Sequence, residues 1–275
     1  MLRLFRFELP FSAGVCVVFG QILALGKLPA ATDVALGFMS IFCISATALI
    51  LNDYFDHAID LVNAPERPLP SGQVKKGDVA LLSIVVALLG FACSFMISLE
   101  ALLVLFCLWV IGLLYNWRFK RTGLPGNLMV SFSVGMTFIF GGLSVGILFE
   151  KMVWFFAVLV MLIDLGEEIA ADAMDMEGDA LAGSRSLAIV WGQERALKIS
   201  GAVFAAVVAL SSVPFLLGWL RLIYLLPFFI MDVVIVYSVV KLLNPRTENR
   251  RGYIRAVYLG GLVAILIFIL IRLAL

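Results

Sequence analysis

Four polar side chains stand close together at the end of a long apolar run. They are Asn52, Asp53, Asp56 and Asp60. At about 100° per residue, a helix places all four within an arc of about 100°. Carboxylate and amide oxygens are the donors that hard divalent cations such as Mg²⁺ prefer. We therefore expect a continuous helix through this stretch, with a polar face that holds a metal ion.

A second stretch repeats the spacing of the three aspartates in the first. It contains Asp172, Asp175 and Asp179, with Glu168 on the same helical face and Asp164 one turn deeper. Carboxylates crowded on one face repel each other unless counterions are present. The chain has only one histidine, which argues against zinc. Two such acidic patches, facing each other, predict a site for magnesium and a diphosphate.

Basic residues follow or separate the two acidic stretches. Prolines and glycines after the first stretch predict a turn that directs Arg67 back toward it. Arg185 follows the second stretch in the same way, and Lys120 and Arg121 lie in a short basic loop between the two. Guanidinium and ammonium groups pair well with phosphate oxygens. We expect these four side chains to bind the diphosphate.

This set of residues suits one kind of reaction in an apolar pocket. A metal ion neutralises the charge that develops on a leaving diphosphate. If the diphosphate carries an allylic tail, its loss leaves a carbocation that an aromatic ring can stabilise. Tyr115 and Tyr54 are the candidate rings. The hypothesis is therefore transfer of an apolar group from its diphosphate to an acceptor.

The composition is that of a membrane protein. Hydrophobic residues make up 63% of the chain and charged residues 14%, and the mean hydropathy is +1.10. Soluble domains are nearer half apolar, and lipid excludes open strands. The prediction is an all-α bundle of nine transmembrane helices forming a single domain over residues 1–275, with acidic half-sites at about 52–78 and 164–192. The predicted spans are about 10–27, 34–52, 79–96, 99–115, 125–147, 152–170, 198–218, 221–241 and 253–274.

The basic residues are distributed unevenly between the two sides of the predicted bundle. Sixteen of the twenty Lys and Arg lie at the N-terminus or in loops on the same side, whereas Lys27, Lys151, Arg221 and Arg272 lie on the other. The positive-inside rule then predicts a cytoplasmic N-terminus, an external C-terminus and an active site that faces the cytoplasm. The expected partners are a diphosphate with an apolar tail, an acceptor and the bilayer. No nucleic acid is expected, and no oligomeric state is predicted.

Both motifs resemble those of the UbiA superfamily of intramembrane prenyltransferases. The resemblance rests on Asn52 to Asp60 followed by Arg67-Pro68-Leu69-Pro70-Ser71-Gly72, and on Asp172 to Asp179. It implies a nine-helix bundle with a cytoplasmic cap, magnesium dependence and transfer of a prenyl group from a prenyl diphosphate to an acceptor. The metal ligands that it implies are Asn52, Asp56, Asp60, Asp172, Asp175 and Asp179. The catalytic residues proposed from the motifs are Asp56, Asp60, Asp175 and Asp179, with Tyr115.

The second motif resembles one branch of the superfamily more than another. Glu168-Ile169 and Gly183-Ser184-Arg185-Ser186-Leu187 look more like the archaeal digeranylgeranylglyceryl phosphate synthases than the 4-hydroxybenzoate enzymes. That branch joins a geranylgeranyl group to geranylgeranylglyceryl phosphate in ether lipid synthesis. An aromatic acceptor, 4-hydroxybenzoate or a quinone precursor, is the alternative. The candidate acceptor contacts are Arg6, Asp53, Glu168 and Asn116.

One departure from the family pattern concerns the acceptor. Family members often begin the first span with Arg-Pro-x-Asn, whereas this chain has Arg6-Phe7-Glu8-Leu9. The missing asparagine leaves acceptor recognition open. Two functions of other classes also remain, a cation transporter and a non-catalytic binder of prenyl lipids. The clustering of acidic residues on one side disfavours a transporter, since only Asp164 and Asp232 lie deep within spans.

Overall fold

A computed structural model describes residues 2–181 and 183–274 of the chain. Met1, Ala182 and Leu275 belong to the predicted single domain but lie outside the described residues. Secondary structure in the described part is helical throughout, with no strand. The predicted all-α class is confirmed.

The described residues form thirteen α-helices, nine of which have eighteen or more residues. In chain order they are α1 (Glu8–Leu25), α2 (Ala31–Phe55), α3 (His57–Asn63), α4 (Lys76–Ile97), α5 (Leu99–Trp117), α6 (Leu124–Ser144), α7 (Lys151–Met174), α8 (Met176–Leu181), α9 (Leu187–Trp191), α10 (Gln193–Ser211), α11 (Val213–Leu216), α12 (Leu225–Leu243) and α13 (Arg250–Ala274). The nine long helices follow the nine predicted spans in order.

Eight segments are long and apolar enough to cross a membrane by length and composition. They comprise the long helices other than α7, with α10 extended through α11. Helix α7 has 24 residues and a similar length, but it carries the acidic residues of the second motif. A chain with this many apolar helices is a multi-pass membrane protein.

The chain divides into two compact units. The first unit comprises residues 1–119 and 136–154, and the second comprises residues 120–135 and 155–275. The acidic half-site at 52–78 therefore belongs to the first unit, and the half-site at 164–192 belongs to the second. That the whole chain acts as a single domain stays a prediction.

Helix α2 is the centre of the first unit, where it packs against α1, α4 and α5. Helix α1 also passes very close to the C-terminal half of α6. A Cβ at Gly141 would lie 2.3 Å from the carbonyl oxygen of Val17, and one at Gly20 would lie 2.4 Å from that of Phe138. Only glycine allows backbones to approach this closely. The close approach of α1 and α6 therefore depends on the absence of a side chain at Gly141.

Helix α7 is joined to α10 in the second unit. The Ser200 hydroxyl donates a 2.7 Å hydrogen bond to the carbonyl oxygen of Gly166, across a crossing at which the Phe204 ring covers that glycine. Below this contact, Leu165, Ile169 and other apolar residues of α7 form a buried cluster with α9, α10 and the end of α12. This packing holds the motif-bearing end of α7 in place.

Candidate active site

Both acidic motifs lie at a break between two helices, and the break falls at the middle aspartate of each. Helix α2 ends at Phe55 and α3 begins at His57, so Asp56 lies between them with φ −85° and ψ 3°. Helix α7 likewise ends at Met174 and α8 begins at Met176, leaving Asp175 between them. The expected continuous helix is wrong for both motifs.

Hydrogen bonding of the helical type nevertheless continues through each break. The Asp56 N–H donates to the Asn52 carbonyl oxygen at 2.9 Å, and the Asp60 N–H donates to that of Asp56 at 2.8 Å. Aspartate favours such interruptions because its side chain competes with the helix for backbone groups. The bridge-like backbone angles of Asp56 belong to a region in which many active-site residues are found. Each break thus interrupts the regular helix while the backbone hydrogen bonds on either side of the middle aspartate are kept.

Asp53 is the centre of an ionic network in the first unit. Its side chain is only 3% exposed and forms an ion pair with Arg6, while the Arg67 guanidinium lies 3.8 Å from it. Arg67 also donates to both carboxylate oxygens of Asp60, at 2.8 and 2.7 Å. The predicted direction of Arg67 is confirmed. Asp53 therefore holds two arginines at one point instead of lying on an open metal-binding face.

Arg6 has an unusual backbone. Its φ of 43° lies in the left-handed region, which residues other than glycine seldom adopt. The ion pair with buried Asp53 supplies a compensating interaction. This arrangement fixes Arg6 just before α1, where the family pattern has its arginine.

Asn52 and Asn116 connect the end of α2 to α5. The Asn52 side-chain amide donates to Asn116 Oδ1 at 3.2 Å, and Asn116 donates to the carbonyl oxygens of Ala48 and Gly112, both at 3.0 Å. Asn116 is buried, so its amide serves to join the two helices. Half-buried Tyr115 precedes it at the end of α5. The roles of Asn116 in acceptor binding and of Tyr115 in catalysis stay predictions.

Tyr54 is placed differently from the expectation that it stabilises a carbocation. The Lys76 ammonium lies 4.4 Å from the centre of its ring, so a cation already occupies that ring face. Tyr54 also packs against the buried cluster around Leu4, Ile50 and Leu69. Its environment is that of a residue that ties α2 to the start of α4.

In the second unit, helix α6 presents two polar side chains to the carboxylates of α7. Asn127 donates a 2.9 Å hydrogen bond to Asp172, and Ser131 donates a 2.8 Å hydrogen bond to Asp164. Both α6 residues are buried. The sequence analysis did not identify them, although polar residues four apart at the start of an apolar span would have been a usable signal.

The remaining acidic residues of the second motif lie close enough to repel one another electrostatically. Glu168 interacts with Asp164, Asp172 and the Lys120 ammonium. Glu167, one residue before Glu168, interacts with Asp164 and Glu168, and its Oε1 is buried without a hydrogen-bond partner among the described residues. The acidic region thus extends further around α7 than the sequence pattern predicted.

Asp179 lies beyond the end of α7, in α8. Burial raises the pKa of its carboxyl group, and the nearby Lys120 ammonium lowers it. The net direction is upward, so the protonated form of this half-buried side chain is favoured compared with a free aspartate. Lys120 is therefore the cation that helps Asp179 to keep its charge.

The basic loop after α5 docks on the segment around Arg185. The Arg185 N–H donates to the Arg121 carbonyl oxygen at 2.9 Å. Gly123 has a φ of +72°, and a Cβ there would lie 2.2 Å from the Arg185 carbonyl oxygen. These contacts bring together three residues predicted to bind the diphosphate, namely Lys120, Arg121 and Arg185. Their role in binding it stays a prediction.

An arginine that the sequence analysis did not single out contacts the second motif. Arg251, at the start of α13, forms an ion pair with Asp175. Its Nη2 also lies 3.4 Å from the Met174 carbonyl oxygen, which it approaches as a donor. No sequence signal could have found this pair, because Arg251 follows Met174 by 77 residues and is one of several basic residues around the start of α13.

The donor atoms of both motifs fit magnesium. Among the described residues, no three His, Cys, Asp or Glu side chains form a group that could hold a metal ion. Magnesium does not require such a cage, because it keeps several waters and uses one or two carboxylates together with substrate phosphates. Asp56 and Asp175, at the breaks, offer hard oxygen donors of this kind. These oxygen donors fit a magnesium ion that binds together with the diphosphate of the substrate.

A family model for UbiA prenyltransferases matches residues 13–271 of the chain. The chain belongs to the UbiA prenyltransferase family. The resemblance seen in the two motifs is confirmed, and the protein is an enzyme that transfers prenyl groups. The transporter and the non-catalytic lipid binder are therefore set aside.

Two curated relatives of this UbiA prenyltransferase share one name. The digeranylgeranylglyceryl phosphate synthase of Methanopyrus kandleri is 33% identical over 260 residues, which cover 94% of this chain and 93% of that protein. The enzyme of the same name from Thermococcus sibiricus is 32% identical over 241 residues, covering 86% and 85%. The predicted closeness to this archaeal branch is confirmed.

Solved structures show the same fold. A structure described as giving structural and mechanistic insights into digeranylgeranylglyceryl phosphate synthase in membranes superimposes with a TM-score of 0.82, at 28% identity, covering 100% of this chain and 98% of that one. A UbiA homologue from Archaeoglobus fulgidus bound to GPP and Mg²⁺ superimposes with a TM-score of 0.72, at 19% identity and 96% coverage of both chains. The second similarity concerns the fold alone.

Proposed function

We propose that this UbiA prenyltransferase transfers a geranylgeranyl group from geranylgeranyl diphosphate to geranylgeranylglyceryl phosphate. The observation that carries the proposal is the 33% identity, over 94% of the chain, to the Methanopyrus kandleri synthase. The product is the doubly prenylated glycerol phosphate of archaeal-type ether lipids. The lipid acceptor agrees with a protein whose substrates both carry long apolar tails and dissolve in the bilayer.

In this reaction the bond between C1 of the geranylgeranyl group and the diphosphate oxygen breaks. The diphosphate leaves with the electron pair, and an ether bond forms between C1 and the free glycerol hydroxyl oxygen of the acceptor. The hydroxyl proton is released to a base. The protein must therefore neutralise the leaving diphosphate, orient the acceptor hydroxyl and keep water from the allylic cation.

We assign the metal and diphosphate contacts to the two motifs. Asn52, Asp56, Asp60, Asp172, Asp175 and Asp179 would hold magnesium, and Arg67, Lys120, Arg121 and Arg185 would bind diphosphate oxygens. Magnesium, when bound, supplies Lewis-acid neutralisation of the leaving group. Support comes from the hard oxygen donors at both helix breaks and from the Archaeoglobus fulgidus homologue of the same fold, which binds GPP and Mg²⁺.

The acceptor phosphate needs cations of its own. Arg6 is not among the residues assigned to the diphosphate. Its guanidinium pairs with Asp53, and its side chain is 34% exposed. Arg6 is thereby held as a cation for the phosphate of the lipid acceptor. Asp53, Glu168 and Asn116 remain the other candidate acceptor contacts.

The orientation in the membrane is part of the same proposal. The N-terminus, both motifs and the active site face the cytoplasm, and the C-terminus lies outside. The distribution of Lys and Arg supports this orientation, with sixteen of twenty on the motif side.

The test is an acceptor comparison. Purified protein is incubated with geranylgeranyl diphosphate, Mg²⁺ and either geranylgeranylglyceryl phosphate or 4-hydroxybenzoate, and products are identified by mass spectrometry. We expect the doubly prenylated lipid, no prenylated benzoate, and no product in EDTA. Turnover of the aromatic acceptor without turnover of the lipid would overturn the proposed acceptor and leave the family assignment intact.

A further inference from the structure

The ion pair between Arg251 and Asp175 joins the start of the last span to the second metal motif. Arg251 makes two contacts there, one to the Asp175 carboxylate and one to the carbonyl oxygen of Met174, the last residue of α7. The neighbouring Tyr253 and Ile254 of α13 pack against the apolar cluster that also receives Met174 and Met176. The residues that flank Arg251 and Asp175 are therefore packed against the same apolar cluster.

The pair has a parallel in the first unit. There, Arg67 binds Asp60 and lies near Asp53, so that an arginine compensates the carboxylates of the first motif. In the second unit the residue at the corresponding sequence position, Arg185, uses its backbone N–H to bind the Arg121 carbonyl oxygen. Arg251 reaches the second motif from the other end of the chain. Each motif thus has an arginine at its carboxylates, supplied by different parts of the fold.

The position of Asp175 gives this contact a consequence for metal binding. Asp175 lies at the break between α7 and α8, next to Asp172 and Asp179, whose carboxylates repel each other. The Arg251 and Asp175 side chains are 65% and 46% exposed, so an aqueous cation can reach the pair. A guanidinium and a divalent cation compete for the same carboxylate oxygens, because both are positively charged and a lone pair that accepts from the guanidinium is not available to the cation.

We propose that Arg251 is a positioning residue that holds the Asp175 carboxylate when no metal is bound and gives it up to the incoming divalent cation. This proposal rests on the proposed function. The ion pair weakens metal binding at the second motif until a diphosphate supplies further ligands to the metal. Arg251 also links loading of the site to the N-terminal end of α13, because its backbone belongs to that helix.

The first test measures metal binding without turnover. Full-length protein in detergent is titrated with Mn²⁺, a probe with the same preference for oxygen ligands, and free Mn²⁺ is followed by electron paramagnetic resonance. Arg251→Gln should bind Mn²⁺ more tightly, by about three- to fivefold, as expected for loss of an exposed competing ion pair. Arg246→Gln, which removes an exposed arginine from the preceding loop, is the matched control and should leave the titration unchanged.

A second variant assigns the effect to Asp175. In an Asp175→Asn background, adding Arg251→Gln should no longer change the Mn²⁺ titration, because the contested carboxylate is gone. Equal or weaker Mn²⁺ binding by Arg251→Gln in the unsubstituted background would overturn the proposal, as would an equal effect in both backgrounds.

The thermal midpoint in EDTA provides a measurement that does not depend on Mn²⁺ affinity. Arg251→Gln and Asp175→Asn should each lower the midpoint, and the double variant should lower it by less than the sum of the two, since both remove the same pair. Strict additivity would contradict a direct contact. Neither measurement requires geranylgeranylglyceryl phosphate, so a wrong acceptor assignment would not affect these results. A negative result for Arg251 would likewise leave the acceptor assignment intact.

Discussion

Asp56 and Asp175 occupy equivalent positions at the scale of single residues. Each follows the last residue of a long helix and precedes a short one, and each is the middle aspartate of its motif. Both side chains are partly exposed, and both carry the hard oxygen donors that magnesium prefers.

The first prediction concerns these two residues. Asp56→Asn and Asp175→Asn should each lower kcat/KM by about a hundredfold or more, because an amide cannot replace the charge of a metal-binding carboxylate. Steady-state kinetics at several Mg²⁺ concentrations measure the loss, and circular dichroism checks the fold. Asp33→Asn, at the start of α2, is the control and should retain activity. Near-normal rates in either motif variant at limiting Mg²⁺ would contradict the assignment.

The second prediction concerns Asn127, which donates to Asp172 at 2.9 Å. Asn127→Ala leaves that carboxylate without a buried hydrogen-bond partner and free to change rotamer. We expect kcat/KM to fall by about tenfold, in the range found for residues that orient metal ligands. Ser133→Ala in the same helix removes a hydroxyl that bonds only to the Met129 carbonyl oxygen, and it should have little effect. Similar losses in both variants would indicate a general effect on α6.

The third prediction is a pH dependence that involves Asp179 and Lys120. Burial raises the Asp179 pKa, and the Lys120 ammonium lowers it. Metal binding needs the ionised carboxylate, so activity is lost as the pH falls through this pKa. Removing the ammonium with Lys120→Gln raises the pKa further, so the acid limb of kcat/KM against pH should move to higher pH. Arg118→Gln, in the same loop, should leave the limb in place.

At the scale of helices, the site depends on close contacts between backbones. Helix α1 and the second half of α6 meet where Gly141 lies against the Val17 carbonyl oxygen. The buried Gln21 side chain spans the same region, since its amide donates to Ser144 Oγ at 2.9 Å and to the Asp33 carbonyl oxygen at 2.7 Å. These contacts hold the helices of the first unit that lead to its motif.

The fourth prediction follows from that contact. Gly141→Ala puts a methyl group where the Val17 carbonyl oxygen lies 2.3 Å away, so the helices must separate. Overpacking of this kind costs about 1–3 kcal/mol and should lower the thermal midpoint by several degrees in detergent. Gly112→Ala is a matched helical control, because its added Cβ would meet only the Ala48 Cβ at 3.5 Å. A stable Gly141→Ala protein would show that the helices part at little cost.

At the scale of the whole molecule, the proposed orientation rests on the uneven distribution of Lys and Arg between two sets of connections. The connections that adjoin the acidic motifs hold most Lys and Arg, whereas the other connections are short and hold few charges. A charged diphosphate is water-soluble at its head and must reach the site from an aqueous side. The basic side is the one that offers cations to it.

The fifth prediction tests the proposed orientation. Alkaline phosphatase fused to the C-terminus should be active in a bacterial host, and a fluorescent protein fused there should be dark, because the fusion point lies outside the cytoplasm. The same reporters fused at the connection between α2 and α4 should give the opposite result. The opposite pattern at both points would invert the proposed topology.

Length and periodicity were enough to predict the nine long helices. The spans at 99–115 and 125–147, for example, match α5 and α6 to within a few residues, because a helix satisfies its backbone hydrogen bonds within the span itself. The spacing of Asp53, Asp56 and Asp60, repeated at the second motif, was enough to indicate membership of the family, while the role of each aspartate stays a prediction. Both kinds of information are local, and local patterns can be seen in one sequence.

Contacts between distant parts of the chain needed the tertiary structure. The wheel that placed Asp53 on an open metal-binding face could not show that Arg6 and Arg67 bury it, and no spacing links Arg251 to Asp175. The breaks at Asp56 and Asp175 also interrupted helices that periodicity alone would continue. The amino-acid sequence by itself determined the membrane-spanning helices, the acidic motifs and the family. Which cation compensates each carboxylate was decided only by the fold, because an ion pair depends on distances in space that sequence separation does not encode.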